Sequence, residues 1–384
     1  MKTPLCCAPW TLYVGADEKF DLCCITREIK GNYSSFEEFW NSEEIRNIRK
    51  QMLSDTLPDF CYKCNKDSSH LNNLVYKDVL NRYSDTDLSE MVDKTDLDGY
   101  TTFLPNIIDV RTNLCNFKCM TCGDRSSSSI RSSKIKKSIK VNPIGTINTL
   151  EQMGLTDHVI QNLKFIRWAG GEPFMSPVHW QVMDKLVKFN KNPIITYDTN
   201  LSFPGKTYEK SVSLLNNFSN IRMFISLDGV GKDVEYIRSG IDYDLFLDNL
   251  KILSEVEFIE KSIQYVATSI GLLTLPDVIK LCNENDLVFC GKLAVGFSKN
   301  HFLDYRVLNQ ETFEKCMNET LLVSQDCSKY NKKIVKLFVD MLRSKYEPRD
   351  CDCSRLKFDE DLRDNESGYF LRRMEGKLNT IINV

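Results

Sequence analysis

The chain has 384 residues, of which 42% are hydrophobic and 27% are charged, so it can bury a sizeable core divided into two or three parts. Its 50 basic and 53 acidic residues nearly cancel, which argues against nucleic acid or an anionic membrane as the main partner. The N-terminal stretch lacks the pattern of a signal peptide, and no run reaches the roughly 18–20 apolar residues of a membrane span, so we expect a cytoplasmic protein.

The chain contains 15 cysteines, and they predict metal binding rather than disulfides because cytosolic thiols are kept reduced. Nine lie in the first third of the chain, in close groups that suit a thiolate cage: Cys6, Cys7, Cys23, Cys24, Cys61, Cys64, Cys115, Cys119 and Cys122. The other six are more scattered: Cys282, Cys290, Cys316, Cys327, Cys351 and Cys353. The apolar surroundings of Cys282 and Cys290 favour simple burial in the core.

Residues 1–75 contain three cysteine groups and a helix-like stretch, and they predict a small metal-organised module. Apolar side chains at near-helical spacing mark the helix: Phe36, Phe39, Trp40, Ile45 and Ile48. Residues 76–104 are polar and rich in aspartate, which predicts a linker with little core of its own.

Residues 105–300 contain six short apolar or β-branched runs, which predict strands. The runs are NIIDVRTN, KFIRWAGGEP, PIITYDTN, IRMFISLDG, SIQYVATSIG and FCGKLAVGF. Amphipathic helical patterns separate several of them, which predicts parallel strands with right-handed crossovers in an α/β fold: a barrel, a partial barrel or a doubly wound sheet. The serine-rich, basic stretch 125–140 predicts a surface loop, either solvated or a docking strip for something acidic. Residues 301–384 predict a helical C-terminal extension.

Three cysteines, Cys115, Cys119 and Cys122, are spaced C-x3-C-x2-C directly after the first predicted strand. The C-terminal ends of strands are where α/β proteins place their active sites. Three thiolates would hold a [4Fe-4S] cube while leaving one iron open to another ligand. The same spacing also suits zinc, so the motif alone leaves both metals open.

Four motifs occur in order, each at the end of a successive predicted strand: CNFKCMTC, AGGEP, DTN and ISLDG. In this order and spacing the sequence resembles the radical S-adenosylmethionine (SAM) superfamily. The resemblance implies a partial (β/α)6-type barrel whose [4Fe-4S] cluster, on Cys115, Cys119 and Cys122, reductively cleaves SAM to a 5′-deoxyadenosyl radical. That radical abstracts hydrogen from the substrate.

The resemblance also implies residues that contact SAM. They are Gly170, Gly171, Glu172 and Pro173 of the glycine-rich turn, Asn200, Ser226 and Arg238. Arg238 could equally be a residue of a surface salt bridge. Leu201 stands where a glycine usually follows the asparagine, and Thr121 stands where an aromatic residue usually precedes the third cysteine.

The N-terminal module resembles the auxiliary-cluster modules called SPASM and twitch, with its CCAPW start, paired cysteines and final C-x2-C. This resemblance implies a second [4Fe-4S] cluster on Cys6, Cys24, Cys61 and Cys64, with Cys7 and Cys23 as substitutes. In the best-known relatives the module follows the barrel, whereas here it precedes it. Structural zinc is the competing interpretation, because four thiolates also suit tetrahedral Zn²⁺.

The function predicted from these motifs is that of a radical SAM oxidoreductase that matures a peptide or protein. A small-molecule dehydrogenase or epimerase, and a non-catalytic zinc-organised binding protein, are the alternatives. We expect a reductase such as flavodoxin or ferredoxin as partner. Tyr197, Tyr265 and Cys290 are available as acid, base or hydrogen donor, but the sequence assigns none of them a catalytic role.

Overall fold

The structure is a computed structural model that describes residues 4–23, 29–64, 81–201, 206–294 and 301–383. The chain divides into two compact units. Unit 1 comprises Met1–Asn113, Pro143–Thr196 and Asn217–Asn220, and unit 2 comprises Leu114–Asn142, Tyr197–Asn216 and Ile221–Val384.

Strands and helices alternate along most of the described chain. The strands are β1 (Leu12–Val14), β2 (Phe20–Asp21), β3 (Ile107–Thr112), β4 (Phe165–Gly170), β5 (Ile194–Thr199), β6 (Ile221–Ser226), β7 (Glu260–Ala267), β8 (Val288–Leu293), β9 (Cys351–Asp352) and β10 (Ile381–Asn383). The α-helices are α1 (Phe36–Trp40), α2 (Glu43–Leu53), α3 (Asp85–Asp93), α4 (Ser128–Lys136), α5 (Asp157–Gln161), α6 (Pro177–Phe189), α7 (Lys206–Leu215), α8 (Gly231–Ile237), α9 (Tyr243–Ile252), α10 (Ser269–Leu272), α11 (Leu275–Glu284), α12 (Gln310–Val323), α13 (Lys329–Lys345), α14 (Leu356–Arg363) and α15 (Tyr369–Arg373). Short 3-10 helices cover Ala8–Trp10, Asp59–Cys64, Pro173–Met175, Leu253–Glu255, Tyr305–Val307 and Ser324–Asp326.

Within the described residues, eight strands form one sheet in the order β2-β1-β3-β4-β5-β6-β7-β8. In unit 1, β1 and β2 are antiparallel, whereas β1 pairs with β3 and β3 with β4 in parallel. In unit 2, β6 pairs with β7 and β7 with β8 in parallel. All six predicted strands are present, as β3 to β8, and helices connect them. The predicted α/β class is therefore confirmed, and the sheet is consistent with the predicted partial barrel.

In unit 1, the N-terminal segment joins the sheet through β1, where Leu12 lies opposite Ile108. The buried Trp10 donates from its indole nitrogen to Thr95 Oγ1 at 3.0 Å, and so ties this segment to residues that we predicted to be linker. That stretch contains α3, whose first turn is closed by a capping box between Ser84 and Asp87. The predicted boundaries of the module, linker, barrel and C-terminal extension remain predictions.

In unit 2, the basic stretch 125–140 differs from the predicted loop because it contains helix α4. Ser127 caps this helix by accepting from the Ile130 amide at 3.2 Å, and the Ile130 side chain is buried. A serine at the N-cap and one buried apolar anchor offset the weak helix propensity of the serine run. None of the helices in the described part of the chain has the length and apolar character that a membrane span requires.

Candidate functional site

The cysteine loop, residues 114–122, follows β3 and belongs to unit 2. Two backbone hydrogen bonds fix it to the end of α8: Lys118 N donates to Ser239 O and Met120 N donates to Ile237 O, both at 2.7 Å. Cys122 N donates to Cys119 O at 3.1 Å, which folds the C-x2-C part into a turn. The loop is therefore held in place by backbone contacts before any ligand binds.

The sulfur atoms of this loop lie among donors that stabilise negative charge. Phe117 N donates to Cys115 Sγ at 3.4 Å, and Arg238 Nη1 lies 3.9 Å from Cys119 Sγ. A hydrogen bond between the thiols of Cys119 and Cys122 raises the pKa of Cys119 and lowers the pKa of Cys122, and the Arg238 guanidinium favours the thiolate of both. Soft thiolates are the ligands that an iron–sulfur cluster takes, and hydrogen-bond donors to the sulfur atoms tune its potential. Across the described ranges, however, no three His, Cys, Asp or Glu side chains are arranged to hold a metal ion as they stand.

Asn200, one of the residues predicted to contact SAM, lies beside the cysteine loop. It is buried, and its amide nitrogen donates to Asn116 Oδ1 at 3.0 Å and lies 4.0 Å from Cys115 Sγ. Leu201 has a φ of 55°, which is the left-handed conformation that glycine normally supplies. The turn thus keeps the backbone geometry of the usual motif, at a strain of roughly 1–2 kcal/mol.

Arg238 lies at the C-cap of α8 and forms a buried ion pair rather than a surface one. Its Nη2 lies 2.9 Å from Oδ2 of Asp228, the fully buried aspartate of ISLDG. Burial would lower the pKa of Arg238, but the Asp228 carboxylate and the thiols of Cys119 and Cys122 raise it above its usual value. The guanidinium is therefore a permanent positive charge beside the cysteine loop. Ser226 ends β6 and is partly exposed.

The glycine-rich turn belongs to unit 1 and closes on β3. Gly170 has a φ of 99°, and a Cβ at this position would lie 2.3 Å from Thr112 O. Gly171 N donates to that same carbonyl at 2.6 Å. Glu172 is fully buried, and its Oε1 accepts from Phe174 N at 3.2 Å at the start of the 3-10 helix Pro173–Met175. Only glycine fits the first position of this turn.

The N-terminal cysteines have unequal surroundings. Cys6 is partly exposed and its Sγ accepts from Ala8 N at 3.5 Å, whereas Cys7 is fully buried and burial raises the pKa of its thiol. Cys61 is buried and Cys23 is partly exposed. Cys24 and the side chain of Cys64 lie outside the described residues, so the predicted four-cysteine set remains a prediction.

Sequence reasoning missed three residues at the cysteine loop: Asn116, Asp228 and Arg363. Asp228 lies inside a motif that we had singled out, so its role was accessible from sequence. Arg363 donates to the carbonyl oxygens of Cys119 and Cys122 from a position more than 200 residues later in the chain. No sequence pattern marks that contact.

The fold and the cysteine loop together define an α/β protein with three closely spaced cysteines after a strand of a mostly parallel sheet. Residues 110–279 match the family model of the radical SAM superfamily. This part of the chain, which contains the cysteine loop, therefore resembles a radical SAM domain.

Solved structures that match this chain include Streptococcus suis SuiB bound to S-adenosylmethionine, with 15% identity over 61% of this chain and 47% of that chain and a TM-score of 0.35. SuiB bound to the precursor peptide SuiA has 15% identity over 60% of this chain and 46% of that chain, with a TM-score of 0.35. TYW1 with a lysine-pyruvate adduct bound has 12% identity over 58% of this chain and 72% of that chain, with a TM-score of 0.35. The chain spans about half the length of SuiB. A comparison with curated proteins gave no match.

Proposed function

We propose that the chain reductively cleaves SAM at a [4Fe-4S] cluster held by Cys115, Cys119 and Cys122. The observation that carries this proposal is the cysteine loop of a radical SAM domain, with Asn200 and Arg238 both in contact with it. When bound, the cluster supplies the electron that breaks the sulfonium C–S bond of SAM. We propose a cytoplasmic location and a flavodoxin or ferredoxin as the electron donor.

The residues around the loop bind and orient SAM in this proposal. The Nε of Arg238 is buried without a hydrogen-bond partner, so it suits a carboxylate such as that of SAM. Asn200 positions the loop through Asn116. A role for the glycine-rich turn in holding the SAM amino group stays a prediction. Each of these residues binds or orients, and none is assigned a proton transfer.

Iron content and SAM cleavage test the proposal together. We would purify the protein anaerobically, reconstitute it, and measure iron per chain and 5′-deoxyadenosine formed from SAM and dithionite. We expect deoxyadenosine from the native chain and none from the triple variant Cys115→Ala, Cys119→Ala, Cys122→Ala. Cys327→Ala, a partly exposed cysteine beyond the radical SAM domain, is the matched control and should retain activity. A colourless, zinc-loaded protein without SAM cleavage would support the zinc-organised alternative instead.

The same iron measurement tests an auxiliary cluster on Cys6, Cys24, Cys61 and Cys64, which we also propose. The partly exposed Cys6, with its sulfur accepting a backbone amide, supports it over the buried Cys7. Two clusters predict about eight iron atoms per chain, and a single cluster predicts about four. Removal of Cys61 should lower the count by half and leave the SAM cluster in place.

For the substrate, we propose a peptide or protein with an acidic docking segment. The exposed basic side chains around the C-terminal end of α4, Lys136, Lys137 and Lys140, support this choice, because the start of α4 contacts the cysteine loop. There Ser129 Oγ donates to Cys115 O at 2.7 Å. Complementary charge brings a partner to the loop and sets its orientation.

Binding of a fluorescent polyglutamate peptide tests this docking surface. We expect the fluorescence anisotropy of the peptide to rise when the native chain is added. The rise should be much smaller with the double variant Lys136→Glu, Lys140→Glu. Lys332→Glu with Lys333→Glu, an equally exposed pair on α13, is the matched control. If both double variants bind alike, the peptide-docking proposal is wrong and a small-molecule substrate becomes the better candidate.

A further inference from the structure

We propose that Arg363, at the end of helix α14 in the C-terminal segment, is a positioning residue that holds the cysteine loop in its ligating geometry. This inference rests on the proposed cluster at Cys115, Cys119 and Cys122. It assigns to the C-terminal segment a part in the radical SAM site.

The guanidinium of Arg363 bridges the two cysteines of the C-x2-C turn. Its Nε donates to Cys119 O at 3.2 Å and its Nη2 donates to Cys122 O at 3.4 Å. Because the fork of a guanidinium is planar and rigid, it fixes the separation and direction of the two carbonyls. The Cα atom of each cysteine lies in the same peptide plane as the carbonyl that Arg363 binds, so the fork also restricts the distance between the two Cα atoms.

Arg363 is itself fixed from the other side. Its Nη1 lies 3.0 Å from Asp359 Oδ1, one helical turn earlier, and the Arg363 side chain is buried. Its own carbonyl accepts from Ser239 Oγ at 2.5 Å, next to the Ser239 carbonyl that accepts from the loop. The contact is therefore built from several elements and does not depend on one flexible side chain.

Helix α14 is also anchored to α8, the helix that ends at Arg238. Tyr236 Oη lies 3.0 Å from Glu360 Oε1, and Asn365 Nδ2 donates to Tyr236 O at 3.0 Å. Asp364 pairs with Lys118 of the cysteine loop. The C-terminal segment thus contacts both the loop with the thiols and the helix with Arg238.

Two effects of Arg363 on a bound cluster can be separated. The fork constrains the loop geometry, and the positive charge stabilises the more negative, reduced state of a nearby cluster. Arg363→Lys keeps the charge but loses the fork, whereas Arg363→Gln loses both. Asp359→Asn keeps Arg363 but weakens its support.

The test uses the full chain, reconstituted anaerobically, and three measurements. They are hydrogen exchange of the amides of residues 118–122 in the metal-free protein, the rate of iron release to EDTA, and the midpoint potential of the cluster. Arg372→Gln is the matched control, because Arg372 is exposed on α15 and pairs with Glu366. Circular dichroism establishes that each variant is folded.

We expect Arg363→Gln to release iron about tenfold faster, because the variant loses the two hydrogen bonds from the guanidinium to the loop. Its loop amides should exchange faster and its cluster potential should fall. Arg363→Lys should release iron faster with the potential unchanged, Asp359→Asn should show a smaller effect, and Arg372→Gln should match the native chain.

The outcomes separate the two proposals. If the native chain and the triple cysteine variant bind the same amount of iron, the three cysteines hold no cluster. The proposed function then fails, and this inference fails with it. If the native chain binds the cluster but Arg363→Gln exchanges its loop amides and releases iron at native rates, only the inference is overturned. If Arg363→Gln does not fold, Arg363→Lys decides: faster iron release from a folded protein supports the inference, and native release overturns it.

Discussion

The two cysteine groups of this chain differ in how their members are brought together. Cys115, Cys119 and Cys122 lie within one short loop, so their proximity follows from local sequence and from the strand before it. The N-terminal cysteines come from three segments, with two helices between the second and the third. A site within one loop is specified locally, whereas a site assembled from separate segments depends on how those segments pack.

The surroundings of the two groups differ as well. The C-x3-C-x2-C loop is contacted by α8, by Asn200 and by Arg363, and charged guanidinium groups lie close to it. In the N-terminal group, Cys7 is buried in a core with Trp10 and Leu12. The surroundings of the first group are those expected of a functional site, whereas Cys7 of the second group also contributes to the packed core.

The largest expected effect comes from two single variants, each of which replaces one cysteine with serine, in one group or in the other. Cys119→Ser should abolish deoxyadenosine formation, because loss of one of three thiolates leaves one more iron of the cube without a protein ligand. Cys61→Ser should keep deoxyadenosine formation and lose only the second set of iron atoms. The measurements are iron content and deoxyadenosine yield. Loss of SAM cleavage in Cys61→Ser would show that the two groups are not independent.

The buried pair of Arg238 and Asp228 should stabilise the fold of unit 2 as well as its site. Asp228→Asn leaves the guanidinium buried without its carboxylate, and we expect the free energy of unfolding to fall by about 4 kcal/mol. Glu314→Gln, which breaks the partly exposed pair with Arg343, is the control and should cost about 1 kcal/mol or less. Urea unfolding followed by circular dichroism measures both. Equal losses would mean that the Arg238 pair is solvated rather than buried.

The same contrast between local and distant contacts explains what sequence could predict. The six strands and the cysteine loop follow from periodicity and spacing, and both were predicted. Leu201 looked like a departure, yet its backbone adopts the left-handed conformation of the missing glycine. Helix α4 was missed because its stability depends on a cap and one buried apolar side chain. Arg363 was missed because nothing near it in sequence indicates what it contacts.

The glycine-rich turn of unit 1 provides a smaller test of close backbone approach. Gly170→Ala would place a Cβ against Thr112 O, and we expect a loss of about 3 kcal/mol from overpacking and an unfavourable φ. Gly376 has a φ of 69° with open space around its Cβ position, so Gly376→Ala separates the two causes. It should cost about 1 kcal/mol from φ alone. If both variants lose the same stability, the close approach at Gly170 contributes nothing.

Asp124, between the cysteine loop and α4, should make stability depend on pH in the acid range. Burial would raise its pKa, but the Lys134 ammonium and the Asn142 amide groups lower it to about 2. Because the pKa is lower in the folded state than its usual value of about 3.9, the carboxylate stabilises the protein above that value. The stabilisation is lost as pH falls through about 2.

We therefore expect Asp124→Asn to lower the free energy of unfolding by about 2 kcal/mol at pH 6 and by much less near pH 2. The measurement is urea unfolding of the variant and the native chain at both values. Asp157→Asn removes the carboxylate of a partly exposed pair with Lys185 and serves as the control, with little change at either pH. A loss at Asp124 that does not depend on pH would mean that its shape, rather than its charge, holds α4 next to the cysteine loop.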